Sequence, residues 1–192
     1  MFADKFTKYD KCAPAGVLLP KIKIAPKFYK QLKLSEDVDN LKFLKKLCWE
    51  NIKEMGINKY SNKDAYYDRV GVELHILSDL GFIDYILLNW DILNYCHEND
   101  IPTGPGRGSA AGSLILYLLK VTKVDPIKYN LFFERFVSRS RARKIEKDGI
   151  TYLDGSLLAD VDNDIAYDRR TEVIEYIKRK HPSRTCRILN LV

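Results

Sequence analysis

The spacing of apolar residues divides the chain into a helical first half and a mixed second half. From Ser35 to about Met55, Leu41, Leu44, Leu47, Cys48 and Ile52 recur at helical spacing, with Ser35 as a suitable N-cap and Gly56 as a stop. A second pattern runs from Asp64 to Leu80, turns Val70, Leu74 and Leu77 inward, and stops at Gly81. A third, from about Asp84 to His97, uses Ile86, Leu87, Trp90 and Leu93 as its inner face. Ahead of these, residues 13–34 carry three prolines and a short alternation over Lys21 to Ile24. That combination predicts an extended arm over residues 1–34, lying on a partner surface.

After Asn99 and Asp100 turn the chain, Ile101 to Thr103 reads as either strand or loop, and the run GPGRGSAAGSLILYLL takes a glycine-rich turn directly into an apolar helix. Strands are predicted at Ile150 to Leu153, Leu157 to Ile165 and Cys186 to Val192, with a helix at about Asp168 to His181. The whole reads as an α+β protein with a mostly helical N-terminal half. No internal repeat or Ser/Gly-rich linker divides residues 35–192.

Composition narrows the classes. Of 192 residues, 46% are hydrophobic and 30% charged, too apolar a balance for disorder, and no run approaches the roughly 18 apolar residues of a membrane span. The start, MFADKFTKYDKC, lacks the apolar core of an export signal, so the expected location is the cytoplasm, of a bacterium or of a viral host. Cys12, Cys48, Cys96 and Cys186 are widely separated, and only His75, His97 and His181 are available to join them, which argues against a zinc or disulfide framework. A net charge of +6 favours polyanionic partners. The surplus gathers at Arg135, Arg139, Arg141, Arg143, Lys144 and Lys147, readable as a phosphate-contacting stretch or as a solvated loop.

Two segments carry candidate chemistry. Gly104, Gly106, Gly108 and Gly112 surround Arg107, Ser109 and Ser113 just where helix amides become available, a setting that suits anions. It is neither a Walker A loop nor a dinucleotide fingerprint, since no Lys-Ser/Thr pair follows and the glycine spacing differs. A tight turn with Ser109 as N-cap is the equal alternative, and Arg107 adds a guanidinium suited to bidentate phosphate contact. The second segment, Asp160-Val161-Asp162-Asn163-Asp164, has period two. As a strand it places three carboxylates on one face, about 7 Å apart in succession. Such side chains reach metal ions about 3.5 to 4 Å apart, the geometry of two-metal phosphoryl transfer, and magnesium suits the ligands best. A calcium loop counted from Asp160 fails at Ile165 and Thr171, where glycine and glutamate are needed. A polar edge strand is the bland alternative.

Over roughly Leu19 to Val192, and most densely from GFIDYILLNWDILNYCHEND through GPGRGSAAGS to LFFERF, the sequence resembles the bacterial DNA polymerase III alpha subunits, the C family of DNA polymerases. The resemblance implies a partial polymerase-beta-like nucleotidyltransferase palm with a mixed sheet and thumb-like inserted helices. It implies triphosphate binding by Arg107, Gly108 and Ser109, with Arg135 of the FERF segment near the phosphates. The family's PDxDxD motif is matched by ADVDND, which carries the catalytic, metal-binding roles to Asp160 and Asp162, with Asp164 as a further acid. Arg169 and Arg170 open a following helix that is also similar and face phosphate.

The implied reaction is template-directed DNA synthesis: two Mg2+ ions, a dNTP as substrate, primer-template DNA as partner, and no membrane. Ala159 and Asn163 depart from the motif's usual proline and apolar residue, and the stretch between FERF and the aspartates is long enough for an added basic hairpin. The third catalytic aspartate and the fingers are expected beyond Val192, on a C-terminal polymerase fragment without which this chain is incomplete and inactive. The rival expectations are a catalytically inactive nucleotide- or DNA-binding remnant, and a structural helical adaptor.

Overall fold

Pro26 opens a helix instead of breaking one. The computed structural model describes residues 21–137, 144–147, 150–153 and 159–182. Within them α1 spans Pro26–Gln31, entered from an extended Ala25 with φ of −68° and ψ of 139°. Proline suits this first position because an N-terminal helical amide has no intrahelical acceptor in any case. The extended arm expected over residues 1–34 is therefore helical at this point, and its residues 1–20 lie outside the described residues. The alternation over Lys21–Ile24 places Ile22 and Ile24 in this chain's own core, not on a partner. Asp84 accepts the Ile22 amide at 3.3 Å, and the Asn40 side chain donates to the Ile22 carbonyl at 3.2 Å.

Three long helices follow: α2 at Asn40–Glu54, α3 at Lys63–Asp79 and α4 at Ile83–Glu98. Asp39, not Ser35, caps α2, its carboxylate accepting the Lys42 amide at 2.7 Å. The helices bury the apolar stripes their periodicity predicts, closed by an aromatic group from α1, α2 and α4. Phe28 meets Trp90 edge-on with centroids 4.8 Å apart, and Phe43 lies 5.1 Å from Tyr29 and 5.7 Å from Trp90. No helix among the described residues is long and apolar enough to cross a membrane.

The mixed sheet of the expected α+β palm is not what the described residues form. Among the described residues helices dominate, and the one sheet is a two-stranded antiparallel ribbon, β1 at Lys144–Lys147 against β2 at Ile150–Leu153. The predicted strand at Leu157–Ile165 contributes only isolated bridges, Thr103 with Ile165 and Arg107 with Asp162. The composition explains the interruption. Asp and Asn are poor strand formers, and the facing loop offers Pro102 and Pro105, which have no amide to donate. Leu157 and Leu158, the predicted strand at Cys186–Val192 and the arginines at 139, 141 and 143 lie outside the described residues.

Beyond a short helix, α5 at Leu114–Leu118, the last helix, α6 at Arg170–Lys180, docks on α4. Tyr95 and Tyr176 stack at 3.9 Å with their planes 10° apart. Buried Asp91 accepts from the Tyr176 hydroxyl at 2.8 Å and from the Lys180 ammonium. A small cluster of Cys96, Ile101 and Val173, flanked by Ile165 and Ile177, fills the space beneath.

The node joining α3 to α5 is Glu73, fully buried on a stripe otherwise made of Val70, Leu74 and Leu77. Its carboxylate accepts from Arg69 Nε at 2.8 Å, Ser113 Oγ at 2.8 Å, the Leu114 amide at 2.9 Å and the Ile115 amide at 3.1 Å. Burial pushes this carboxyl above the ordinary range, against the pull of those four donors. Arg69 continues the network by donating to the carbonyls of Gly112 at 2.9 Å and Leu131 at 3.0 Å.

Removing charge from such a site strands its partners. Glu73→Gln is expected to lower the unfolding free energy by about 3 kcal/mol, measured by urea denaturation. Glu54→Gln, which breaks only the exposed Lys120 pair, is expected to cost under about 1 kcal/mol.

Candidate functional site

Two segments run side by side in opposite directions, the loop from Pro102 to Arg107 and the acidic stretch from Asp162 to Ala166. The Gly104 amide donates to the Asp164 carbonyl at 2.9 Å, and the Ala166 amide to the Pro102 carbonyl at 3.1 Å. Lys123 braces the loop from behind, its ammonium on the Thr103 carbonyl at 2.5 Å and its amide on the Pro105 carbonyl at 2.8 Å. Gly104 and Gly112 are among the glycines required by proximity. A Cβ on Gly104 would stand 2.8 Å from the Asp164 Cβ, and one on Gly112 would stand 2.6 Å from the Phe132 carbonyl oxygen.

The sequence places Arg107, Gly108 and Ser109 at the tip of this loop, where all three are exposed. Arg107 Nε donates to Asp162 Oδ2 at 3.3 Å. The guanidinium is 68% exposed and the carboxylate 37%, so the pair is weak and exchangeable with solvent. The hydrogen bond to Asp162, together with the charges of Asp162, Asp164 and Asp160, holds the Arg107 guanidinium above its ordinary range. Of the three acids, Asp162 is the one the guanidinium touches. Asp162 turns toward Arg107 and Asp164 lies against Gly104, while the intervening Asn163 faces α4, so the period-two pattern separates sides without a regular strand.

Arg135 is exposed in a single helical turn, Phe133–Arg135, that packs against the Gly108–Gly112 turn. Arg170 is exposed at the start of α6, and Arg169 beside it pairs with Glu172 at 2.7 Å. The expected anion site at the helix start is a different matter. Ser113, not Ser109, caps α5, accepting the Leu116 amide at 3.3 Å. The Leu114 and Ile115 amides are already taken by Glu73. The protein supplies its own anion there, which leaves the loop tip, and not the helix terminus, open to a ligand.

Among the described residues, no three His, Cys, Asp or Glu side chains stand together as a metal cluster. Exposed Asp160 and half-exposed Asp162 still fit magnesium, which is commonly held by one or two carboxylates with phosphate oxygens and water completing the octahedron. Sequence reasoning missed the support behind them. Asn89 and Tyr85 on α4 contact the acidic stretch, and burial, followed by the nearby charges of Asp160 and Asp162, pushes the Tyr85 hydroxyl up. The signal was a polar Asn89 within an otherwise apolar helix face, just as Glu73 interrupts the stripe on α3.

Residues 42–191 match the family described as the bacterial DNA polymerase III alpha NTPase domain. The chain is 40% identical over 139 residues to the DNA polymerase III subunit alpha of Halalkalibacterium halodurans and 41% over 130 residues to that of Mycoplasma pneumoniae. It is 34% identical over 181 residues to that of Aquifex aeolicus. These alignments cover 72%, 68% and 93% of this chain but only 11%, 13% and 13% of the relatives, so it spans about an eighth of their length.

Because the loop and the acidic stretch touch at Gly104, Gly104→Ala is expected to push them apart and to cost about 1 to 3 kcal/mol of stability, read as a lowered urea midpoint with an unchanged slope.

Proposed function

The chain belongs to the bacterial DNA polymerase III alpha NTPase-domain family, and from that premise we propose that it takes part in template-directed DNA synthesis as part of a DNA polymerase III alpha-like enzyme. In this reading Arg107, Gly108 and Ser109 receive the triphosphate of a dNTP, with Arg135 and Arg170 adding positive charge along the phosphates or the primer-template DNA. Asp160 and Asp162 would hold magnesium, which when bound would supply activation of the primer hydroxyl and charge neutralisation at the phosphates. The primer 3′ oxygen bonds to the α phosphorus, pyrophosphate leaves, and Arg107 stabilises the charge that develops on the departing oxygens.

The observation that supports the reading is the contact of the exposed Arg107, at the end of a glycine loop, with Asp162 of the acidic stretch. In the free chain Arg107 pairs with Asp162. Because that pair is exposed and weak, the guanidinium would be free to turn to phosphate whenever Asp162 is otherwise engaged. A complementary polymerase fragment supplies a further carboxylate, the fingers and the remaining duplex contacts.

The second reading, a nucleotide- or DNA-binding remnant without catalysis, draws on the two-carboxylate donor set, since no larger cluster occurs among the described residues. Primer extension separates the two. The chain mixed with its C-terminal complement, magnesium and dNTPs is expected to extend a primer. Asp160→Ala and Asp162→Ala should each fall to background, and Arg107→Gln should lose about 10²-fold. Triphosphate binding without extension, once association of the two pieces is confirmed, would establish the remnant.

A further inference from the structure

We infer that Asn89 and Asn163 are positioning residues that set which side of the acidic stretch its carboxylates occupy. The stretch has neighbours on two sides. On the loop side it is held by the backbone hydrogen bonds at Gly104 and Ala166, with a second antiparallel bridge between Arg107 and Asp162. On the other side the Asn163 amide donates to Asn89 Oδ1 at 3.0 Å, and the Asn89 amide donates to the Tyr85 carbonyl at 3.0 Å. Asn163 is thereby fastened to α4.

Successive side chains in an extended segment point to opposite sides, so a slip of one residue exchanges the two faces. Fastening Asn163 to α4 obliges Asp162 and Asp164 to face the glycine loop. A slip would instead drive a carboxylate against the apolar face of α4. Asn89 is 6% exposed on that face, where a carboxamide is costly unless paired. Among the described residues the buried Asn163 Oδ1 atom has no hydrogen-bond partner, so the pair is not the arrangement that stability alone would select. It sets phase, and it does so through a single shared hydrogen bond.

The consequence for metal binding rests on the reading of Asp160 and Asp162 given above; the positional role does not. Amide hydrogen exchange by NMR on the full chain, comparing the unaltered protein with Asn163→Ala, Asn89→Ala and the double variant, tests it directly. Each single substitution is expected to speed exchange at Gly104 and Ala166 about tenfold while α2 and α3 keep their protection. The double variant should match either single one, because both remove the same bond. Unchanged exchange at those amides, or strictly additive effects in the double variant, would overturn the inference.

Mn2+ titrated into the same folded variants supplies a readout that a merely stabilising role would leave alone. An affinity about tenfold weaker in both single variants is expected. Mn2+ affinity equal to that of the unaltered chain would overturn the positioning role. Absence of Mn2+ binding in the unaltered chain, with the exchange result as expected, would instead sink the metal-ligand reading and leave the phase-setting pair intact.

Discussion

A buried carboxylate with four donors governs this structure. Glu73 lies where water cannot reach, and its oxygens are shared between Arg69, the Ser113 hydroxyl and the first amides of α5. Taking such a group out of water is costly, and that cost is offset only while every donor is in place. The arrangement is therefore cooperative. Through Arg69 it also fixes the carbonyls of Gly112 and Leu131, so the exit of the glycine-rich turn and the approach to Phe133–Arg135 are set by the same residue. Arg107, Gly108 and Ser109 project from a turn whose far end cannot move without breaking a buried ion pair.

The exposed half of the site is held more loosely, and its chemistry depends on that difference. Arg107 and Asp162 meet in solvent at 3.3 Å, where an ion pair contributes little and salt screens it. Weakness there allows either partner to be taken by a ligand. The rigid node beneath keeps the guanidinium close enough to return. On the opposite flank the Asp91 contacts with Tyr176 and Lys180, and the Tyr95–Tyr176 stack, hold α6 to α4. That docking fixes where the acidic stretch emerges.

The long helices were legible because their apolar stripes repeat over four turns or more, and α2, α3 and α4 start and end within a few residues of where the pattern places them, except that Asp39 takes the cap in place of Ser35. The buried polar residues were not. Glu73, Asn89 and Asp91 sit on helices that also carry ordinary solvated charges, and nothing local separates an acid paired across 40 residues from one facing water. Proline misled in one place and would have informed in another: Pro26 begins a helix, while Pro102 and Pro105 forbid the sheet that the period-two carboxylates suggested. Spacing and resemblance single out Arg107 and the aspartates, and the structure sets Arg107 against Asp162. That Glu73 already fills the helix terminus behind them could not be read that way, because it depends on a contact between segments 40 residues apart.

The paired loop and acidic stretch form a seam that cannot lengthen. A conventional sheet resists separation because each rung is backed by the next, whereas here the hydrogen bonds at Gly104 and Ala166 and the bridge of Arg107 with Asp162 have no longer ladder behind them. The helical core, with Glu73 inside it, keeps its own hydrogen bonds and apolar contacts without them. Two segments that carry the candidate chemistry are thus joined by few backbone bonds, and their alignment rests on the packed helices to either side.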